Sequence, residues 1–356
     1  MNPDFWRGKR VLLTGHTGFK GSWLAIWLQS MGADLSGYAS GVPTTPSLYE
    51  EGNVHEGIVN IFGDVRDFEK LLSVFDSFKP EIVFHLAAQS LVLKGYENPI
   101  DTYSTNVMGT VNILECSRRC PAVKAIINVT TDKCYENKEW PWGYRECDAL
   151  GGFDPYSNSK GCAELVTSSY RLSYFNPEKY SVHGVALATV RAGNVIGGGD
   201  WAENRLIPDI LSSFQRKQAV IIRSPESIRP WQHVLEPLRG YLMLAERLYQ
   251  DGAAFAEAWN FGPRDEDVQT VAWIVNEMSN LWGEDARWIC SEFPHPHEAH
   301  FLKLDISKAK SKLNWYPRLG LSDSLSFVVD WSKRRSAGVG VREITESQIA
   351  QYQKLK

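Results

Sequence analysis

The stretch Gly15-His16-Thr17-Gly18-Phe19-Lys20-Gly21 follows the apolar run Val11-Leu12-Leu13 and leads into Ser22-Trp23-Leu24-Ala25-Ile26-Trp27-Leu28, which stops at Gly32-Ala33. A short apolar run, a glycine-rich turn and a longer apolar segment with a glycine stop read as a buried strand, a tight turn and a helix. In that context the glycines point to dinucleotide binding. They permit the turn and let backbone N–H groups approach a pyrophosphate, whose charge the positive end of the helix dipole favours. The plainer alternative is a turn whose glycines serve only strand–helix packing. Gly15, Thr17, Gly18, Phe19, Lys20 and Gly21 are the candidate cofactor-binding residues of this turn.

Working outward, strand-like runs recur at Ile58 to Phe62, Ile82 to Leu86, Ala125 to Val129 and Val185 to Val190, separated by helix-like stretches near Phe68 to Phe78, Val107 to Cys116 and Ser159 to Leu172. Alternating strands and helices predict a parallel sheet covered on both faces. After Arg191 the rhythm changes. Gly197-Gly198-Gly199-Asp200-Trp201 and the Pro225 to Pro230 segment interrupt it, and a second, smaller unit begins there. The stretch from Arg342 onward is polar and reads as a surface helix or tail.

A chain of 356 residues suggests two domains. With 43% hydrophobic and 22% charged residues it has ordinary globular usage, which argues against a disordered chain or a coiled coil. The net charge of -4 comes without a basic block, so a nucleic-acid backbone is not the expected partner. The N-terminus lacks a secretory pattern, and no apolar stretch reaches the ~20 residues of a membrane span; the expected location is the cytoplasm. Cys116, Cys120, Cys134, Cys147, Cys162 and Cys290 contain no CxxC pair and read as reduced thiols. His295, His297 and His300 are spaced like a metal cluster, but no helical face or cysteine partner supports a metal, and none is expected.

The acidic residue that usually takes the adenosine ribose hydroxyls ~20 residues beyond the turn is absent, because Tyr38-Ala39-Ser40-Gly41-Val42 stands there. No arginine stands there for a 2′-phosphate either. NAD is therefore favoured, while Lys20 leaves the phosphorylated cofactor open. Asp64 and Val65, after the third strand, are candidates for the adenine ring, with a solvated loop aspartate as the alternative.

Together, the GxxGxxG spacing, Leu86-Ala87-Ala88-Gln89 and Tyr156-Ser157-Asn158-Ser159-Lys160 resemble the extended short-chain dehydrogenases over nearly the whole chain. Within that group, Thr14 to Trp23, Thr131-Asp132-Lys133-Cys134-Tyr135 and Asn194 to Trp201 look like the 4,6-dehydratases of nucleotide sugars, in the branch acting on CDP-glucose. The resemblance implies a Rossmann-type, doubly wound α/β fold with a smaller C-terminal α/β substrate domain. The NAD-binding part would be residues 1–190 plus about 230–262, and the substrate part 191–229 plus 263–356. It also implies bound NAD, with Leu86, Ala87 and Ala88 beside it, and a step towards deoxyhexoses of bacterial surface polysaccharide.

Tyr156 and Lys160 are four apart and share a face if helical, although the same spacing recurs at Tyr352 and Lys356. The resemblance implies that Tyr156 takes the proton of the sugar 4-hydroxyl. Lys160 would hold the nicotinamide ribose and lower the tyrosine pKa, and Thr131 would orient the hydroxyl. Elimination of water needs an acid beside a second group. Related dTDP-glucose dehydratases carry Asp-Glu where this chain has Asp132-Lys133, so Asp132 is the expected general acid and Lys133 either a neutral base or an enolate-stabilising cation. Gln89, Ser90, Asn194, Arg205 and Leu206 are expected along the nucleotide-sugar cleft, with Arg229 on the diphosphate.

Two rivals remain at this stage. A nucleotide-sugar 4-epimerase shares the Tyr-Lys pair but does not need Asp132-Lys133, and a non-catalytic cofactor-binding regulator would not need Tyr156. Helices such as those near 107–116 and 159–172 commonly dimerise in this group, so a homodimer is expected.

Overall fold

The computed structural model describes residues 1–283, 286–291 and 301–355. Seven strands form one sheet: β1 (Arg10–Thr14), β2 (Asp34–Ala39), β3 (Val59–Phe62), β4 (Ile82–His85), β5 (Ala125–Val129), β6 (Ala186–Ala192) and β7 (Ala258–Phe261). All neighbours pair in parallel, in the order β7-β6-β5-β4-β1-β2-β3. The order reverses between β1 and β4, the switch point where open α/β sheets bind ligands beyond their strand C-termini.

Alternation along the strands supplies two cores. Val11, Leu13, Ile82, Phe84 and Ile127 face one side, while Leu12, Val83, Ile126 and Leu187 face the other. The first side is covered by α1 (Phe19–Ser30), the second by α2 (Phe68–Phe78), α3 (Gly109–Arg119) and α4 (Pro155–Ser173). In α1 every residue from Trp23 to Leu28 is fully buried, because elements from the C-terminal end cover its outer face. With a core on each face, the central strands are largely apolar on both sides, as buried parallel sheets are.

Beyond β6, the helices α5 (Leu206–Gln215), α6 (Leu235–Asp251), α7 (Val271–Trp282), α8 (Leu321–Ser336) and α9 (Val341–Lys354) follow. A third core joins Ile207, Ile210 and Phe214 of α5 to Ile274, Val275 and Met278 of α7 and Leu325 and Val328 of α8. Helix α6 belongs with the sheet through Leu238 and Leu242.

Three sequence expectations shift. The stretch from Arg342 is α9, whose Ile344, Ile349 and Tyr352 are buried at helical spacing in the first core, so it is no tail. With Ala309, Leu313 and Trp315 in the same core, these parts of 263–356 pack on the sheet rather than with the third core. The helix expected from Ser159 begins at Pro155, where Asp154 accepts from Ser157 N at 3.0 Å and Pro155 occupies the first turn.

Candidate active site

The glycine turn stands at the switch point. Gly15 has φ +74°, and a Cβ there would lie 2.8 Å from Ala87 N. A Cβ at Gly21 would lie 2.0 Å from Gly15 O. Only glycine lets the loops after β1 and β4 close together while α1 starts directly beneath them. Gly18 caps α1 without a side-chain hydrogen bond, so its first N–H groups face the crevice with a helix dipole behind them. This backbone cradle fits a pyrophosphate. Thr17 is turned to Gly41 O at 2.7 Å, anchoring the loop after β2. Leu86 and Ala87 are the loop against which Gly15 packs, with Ala88 beside them.

Asp64 and Val65 serve the fold first. The Arg66 guanidinium engages the Asp64 carboxylate at 2.6 Å and holds it below its usual range, while buried Val65 packs on Gly109.

On α4, Tyr156 and Lys160 are both buried. Lys160 Nζ donates to Val129 O at 3.0 Å, which fixes the ammonium at the end of β5. Burial, then the nearby Lys20 charge, brings Lys160 down to about 8. The expected lowering of Tyr156 by Lys160 is not what this structure contains. Burial pushes Tyr156 up to about 12; the Thr131 hydroxyl and Arg205 oppose it, and Asp132 adds to it.

Thr131 and Asp132 leave β5 beside that tyrosine. Thr131 Oγ1 donates to Asp132 Oδ1 at 3.0 Å, and Asp132, 2% exposed, has no hydrogen-bond partner for Oδ2 among the described residues. A buried carboxylate oxygen without a partner is costly in an ordinary core and marks a group kept for a ligand. Lys133, half-buried, follows on the same short turn.

Across the crevice, Arg205 pairs with Asp200 at 3.0 Å and reaches Ser90 Oγ at 3.3 Å, bridging the third-core half to the loop after β4. Asn194 lies on a short strand, Asn194–Ile196, paired in parallel with Trp231–His233. Leu206 opens α5 next to Arg205, and Arg229 Nη1 donates to Ile228 O at 2.9 Å on the strand just before Pro230. Gln89 accepts from Leu91 N at 2.6 Å and donates to Thr102 Oγ1 at 2.9 Å, which ties the loop after β4 to the helix Pro99–Tyr103. His295, His297 and His300 lie outside the described residues.

Sequence reasoning missed three supports. Asn106, in a π-helical turn over Ser104–Met108, accepts from Gln89 N at 2.8 Å and donates to Ser159 Oγ at 2.8 Å, clamping the β4 loop to α4. Gly193 leaves room where a Cβ would sit 2.6 Å from Pro230 Cγ and 3.2 Å from Asp132 Oδ2. Glu164 and Arg191 form a buried ion pair behind Thr130. None carries a local sequence signal, because each acts on residues far away in the chain.

A parallel sheet in this order, a glycine turn at its switch point and a Tyr156–Lys160 helix after β5 define an extended short-chain dehydrogenase/reductase. Within that class the chain belongs to the GDP-mannose 4,6 dehydratase family, whose sequence profile matches residues 12–326. It is 59% identical over 352 residues to the CDP-glucose 4,6-dehydratase of Salmonella typhimurium, covering 99% of this chain and 98% of that protein. Among solved structures, the UDP-glucose 4-epimerase of Thermotoga maritima with UDP-glucose superposes with TM-score 0.78 at 23% identity, over 92% of this chain and 99% of that one. The dTDP-glucose 4,6-dehydratase of Bacillus anthracis in complex with NAD gives TM-score 0.75 at 21% identity, over 93% and 98%. Those two share the fold.

Proposed function

We propose that the protein is an NAD-dependent dehydratase converting CDP-glucose to CDP-4-keto-6-deoxyglucose. The observation that carries this reading is the buried Asp132 carboxylate, Oδ2 unpartnered, beside Thr131 and Tyr156. Hydride transfer alone does not need it; elimination of a hydroxyl does. The choice of CDP-glucose among nucleotide sugars rests on the 59% identical relative.

NAD, when bound, would supply the acceptor for the carbon 4 hydride and the donor of that hydride to carbon 6. Gly15, Thr17, Gly18, Phe19, Lys20 and Gly21 would hold its pyrophosphate, Asp64, Val65, Leu86, Ala87 and Ala88 would border it, and Lys160 would hold the nicotinamide ribose. Tyr156 accepts the proton of the 4-hydroxyl, which Thr131 orients. The ketone so formed acidifies the hydrogen on carbon 5. Asp132 then protonates the carbon 6 hydroxyl, which leaves as water as carbon 5 loses its proton, with Lys133 beside it as base or as a cation for the enolate. Arg205, Arg229, Asn194, Leu206 and Ser90 line the side where the diphosphate and nucleoside lie.

The chain works as two parts, a cofactor half on the sheet and a substrate half on the third core, facing each other across the cleft. It pairs as a homodimer through α3 and α4. Ile100 and Met108, on the turns that lead into α3, and Leu165 and Leu172 on α4 are 81%, 50%, 60% and 64% exposed, apolar surface that a second copy would cover. No helix among the described residues is long and apolar enough to cross a membrane. The cytoplasm suits its six unpaired cysteines, and its product feeds deoxyhexoses of surface polysaccharide.

The test is to incubate the protein with CDP-glucose, dTDP-glucose and UDP-glucose and weigh the products. Loss of one water from CDP-glucose is expected. A product of unchanged mass with a new 4-configuration would replace the dehydratase by an epimerase.

A further inference from the structure

Asp132 and Lys133 stand on one short turn, Asp132–Cys134, that holds itself together weakly. Its internal hydrogen bonds, Cys134 N to Thr131 O, Tyr135 N to Asp132 O and Lys133 N to Thr131 Oγ1, are all 3.4 Å long. An ordinary N–H donor sits about 2.9 Å from its acceptor. Among the described residues the Asp132 carboxylate receives Thr131 Oγ1 on Oδ1 and no hydrogen bond on Oδ2. The place of a group that must deliver a proton to one particular oxygen is therefore set from outside the turn.

Two side-chain tethers set it, one at each end. Before the turn, Thr130 Oγ1 donates to Glu164 Oε1 at 2.5 Å. After it, Tyr135 Oη accepts from Arg191 Nη1 at 2.6 Å and donates to Asn260 Oδ1 on β7 at 2.8 Å. Glu164 and Arg191 are themselves joined at two points, so both tethers end on one buried pair. Tyr135 is 1% exposed, with its ring 4.8 Å from the Arg191 guanidinium and stacked on Tyr144 at 5.2 Å. The pair also serves the carbon 4 side of the site. Glu164 lies one turn beyond Lys160, and a Cβ at Gly161 would lie 3.4 Å from Cys134 O, so the turn rests against the helix that carries Tyr156 and Lys160.

We infer that Thr130, Tyr135, Glu164 and Arg191 are positioning residues for the elimination, a clasp that closes both ends of the Asp132–Lys133 turn and fixes it relative to Tyr156 and Lys160. The inference rests on the dehydratase reading above, in which Tyr156 and Lys160 serve carbon 4 and Asp132 serves carbon 6. All four residues are buried and act through Asp132. The geometry separates the two halves of the reaction. Loss of Tyr135 Oη frees the far end of the turn but leaves the Glu164–Arg191 bonds, the Thr130 tether and Lys160 Nζ on Val129 O in place. Carbon 4 oxidation then survives a change that spoils the loss of water. Thr189 on β6 donates to Glu164 Oε2 at 2.8 Å, supporting the same pair without touching either end of the turn.

The test uses NAD-loaded holoenzyme and CDP-glucose, with NADH absorbance reporting carbon 4 oxidation and product mass reporting the loss of water. Tyr135→Phe keeps the ring and its stacking. It is expected to oxidise carbon 4 within about 3-fold of the unaltered rate, to lose water about 10-fold or more slowly, and to let NADH rise to the enzyme concentration. Thr130→Val, which frees the near end of the turn, should shift the balance in the same direction and carries the test if the Phe variant folds poorly. Thr189→Val should lower the melting temperature and leave the balance between the two steps alone. Water loss at the unaltered rate in Tyr135→Phe, both steps slowed alike, or the same stall in Thr189→Val would overturn the assignment and leave the clasp a purely structural support. Failure of the unmodified enzyme to release water from CDP-glucose would instead remove the reaction on which the assignment stands.

Discussion

Glu164 and Arg191 meet in a two-point ion pair, Nε to Oε1 and Nη2 to Oε2 each at 2.8 Å, with both side chains 3% exposed. Further donors and acceptors surround the pair: Thr130 and Thr189 donate to the carboxylate at 2.5 and 2.8 Å, and Arg191 donates to Tyr135 Oη at 2.6 Å. Burial opposes ionisation of Glu164, but the Arg191 guanidinium and these donors hold it below its usual range. Glu164 lies one turn beyond Lys160, and Thr130 precedes Thr131, so the pair ties α4, β5 and β6 together directly behind the site.

Removing one partner strands the other charge in the interior. Glu164→Ala should lose about 3–5 kcal/mol of stability, measured by urea unfolding at pH 7. A loss below about 1 kcal/mol would mean that water reaches Arg191 and the pair is not structural.

Tyr156→Phe keeps the ring and its packing but removes the proton acceptor. NAD binding should be unchanged and carbon 4 oxidation slowed about 100-fold or more, read by rapid-mixing absorbance of NADH. Oxidation at the rate of the unaltered enzyme would hand that proton to another group.

Gly21→Ala places a methyl 2.0 Å from Gly15 O, a backbone atom that cannot move without opening the turn. The expected outcome is loss of NAD affinity by more than about 10-fold, by calorimetric titration, with the far-UV spectrum retained. Unchanged affinity would remove the glycine turn from the cofactor site.

His233 is fully buried and pushed down to about 3 by burial; His85 is likewise brought to about 3, by burial and then Lys160. Both histidines are neutral in the folded chain and titrate near 6.5 once unfolded. Their folded pKa values are depressed, so the unfolded state binds more protons below pH 6.5 and stability falls progressively towards pH 3. At pH 5 each contributes about 2 kcal/mol of that loss. His233→Gln should narrow the stability difference between pH 7 and pH 5 by about this amount in urea unfolding. An unaltered difference would show that His233 takes up a proton in the folded state.

The parts legible in the sequence are those with local signals. The β1–turn–α1 unit is written in three glycines between two apolar runs, whereas the Asp154-Pro155 cap that starts α4 four residues before the expected Ser159 was missed. Strand β2 was harder to see because Gly37 interrupts it; a Cβ there would lie 2.5 Å from the His16 ring, a constraint imposed from another element. Asn106 binds a hydroxyl 53 residues away and Glu164 an arginine 27 residues away, pairings that no local pattern announces.

The central claim is that one hydride leaves carbon 4 and returns to carbon 6 within the same sugar while Asp132 drives out water. CDP-glucose deuterated at carbon 4, incubated with the holoenzyme and analysed by NMR, tests it directly. The account predicts a keto product with the label on carbon 6, one water lost and no net NADH. Label retained at carbon 4 in an epimerised sugar, or released into reduced cofactor in proportion to product, would contradict it.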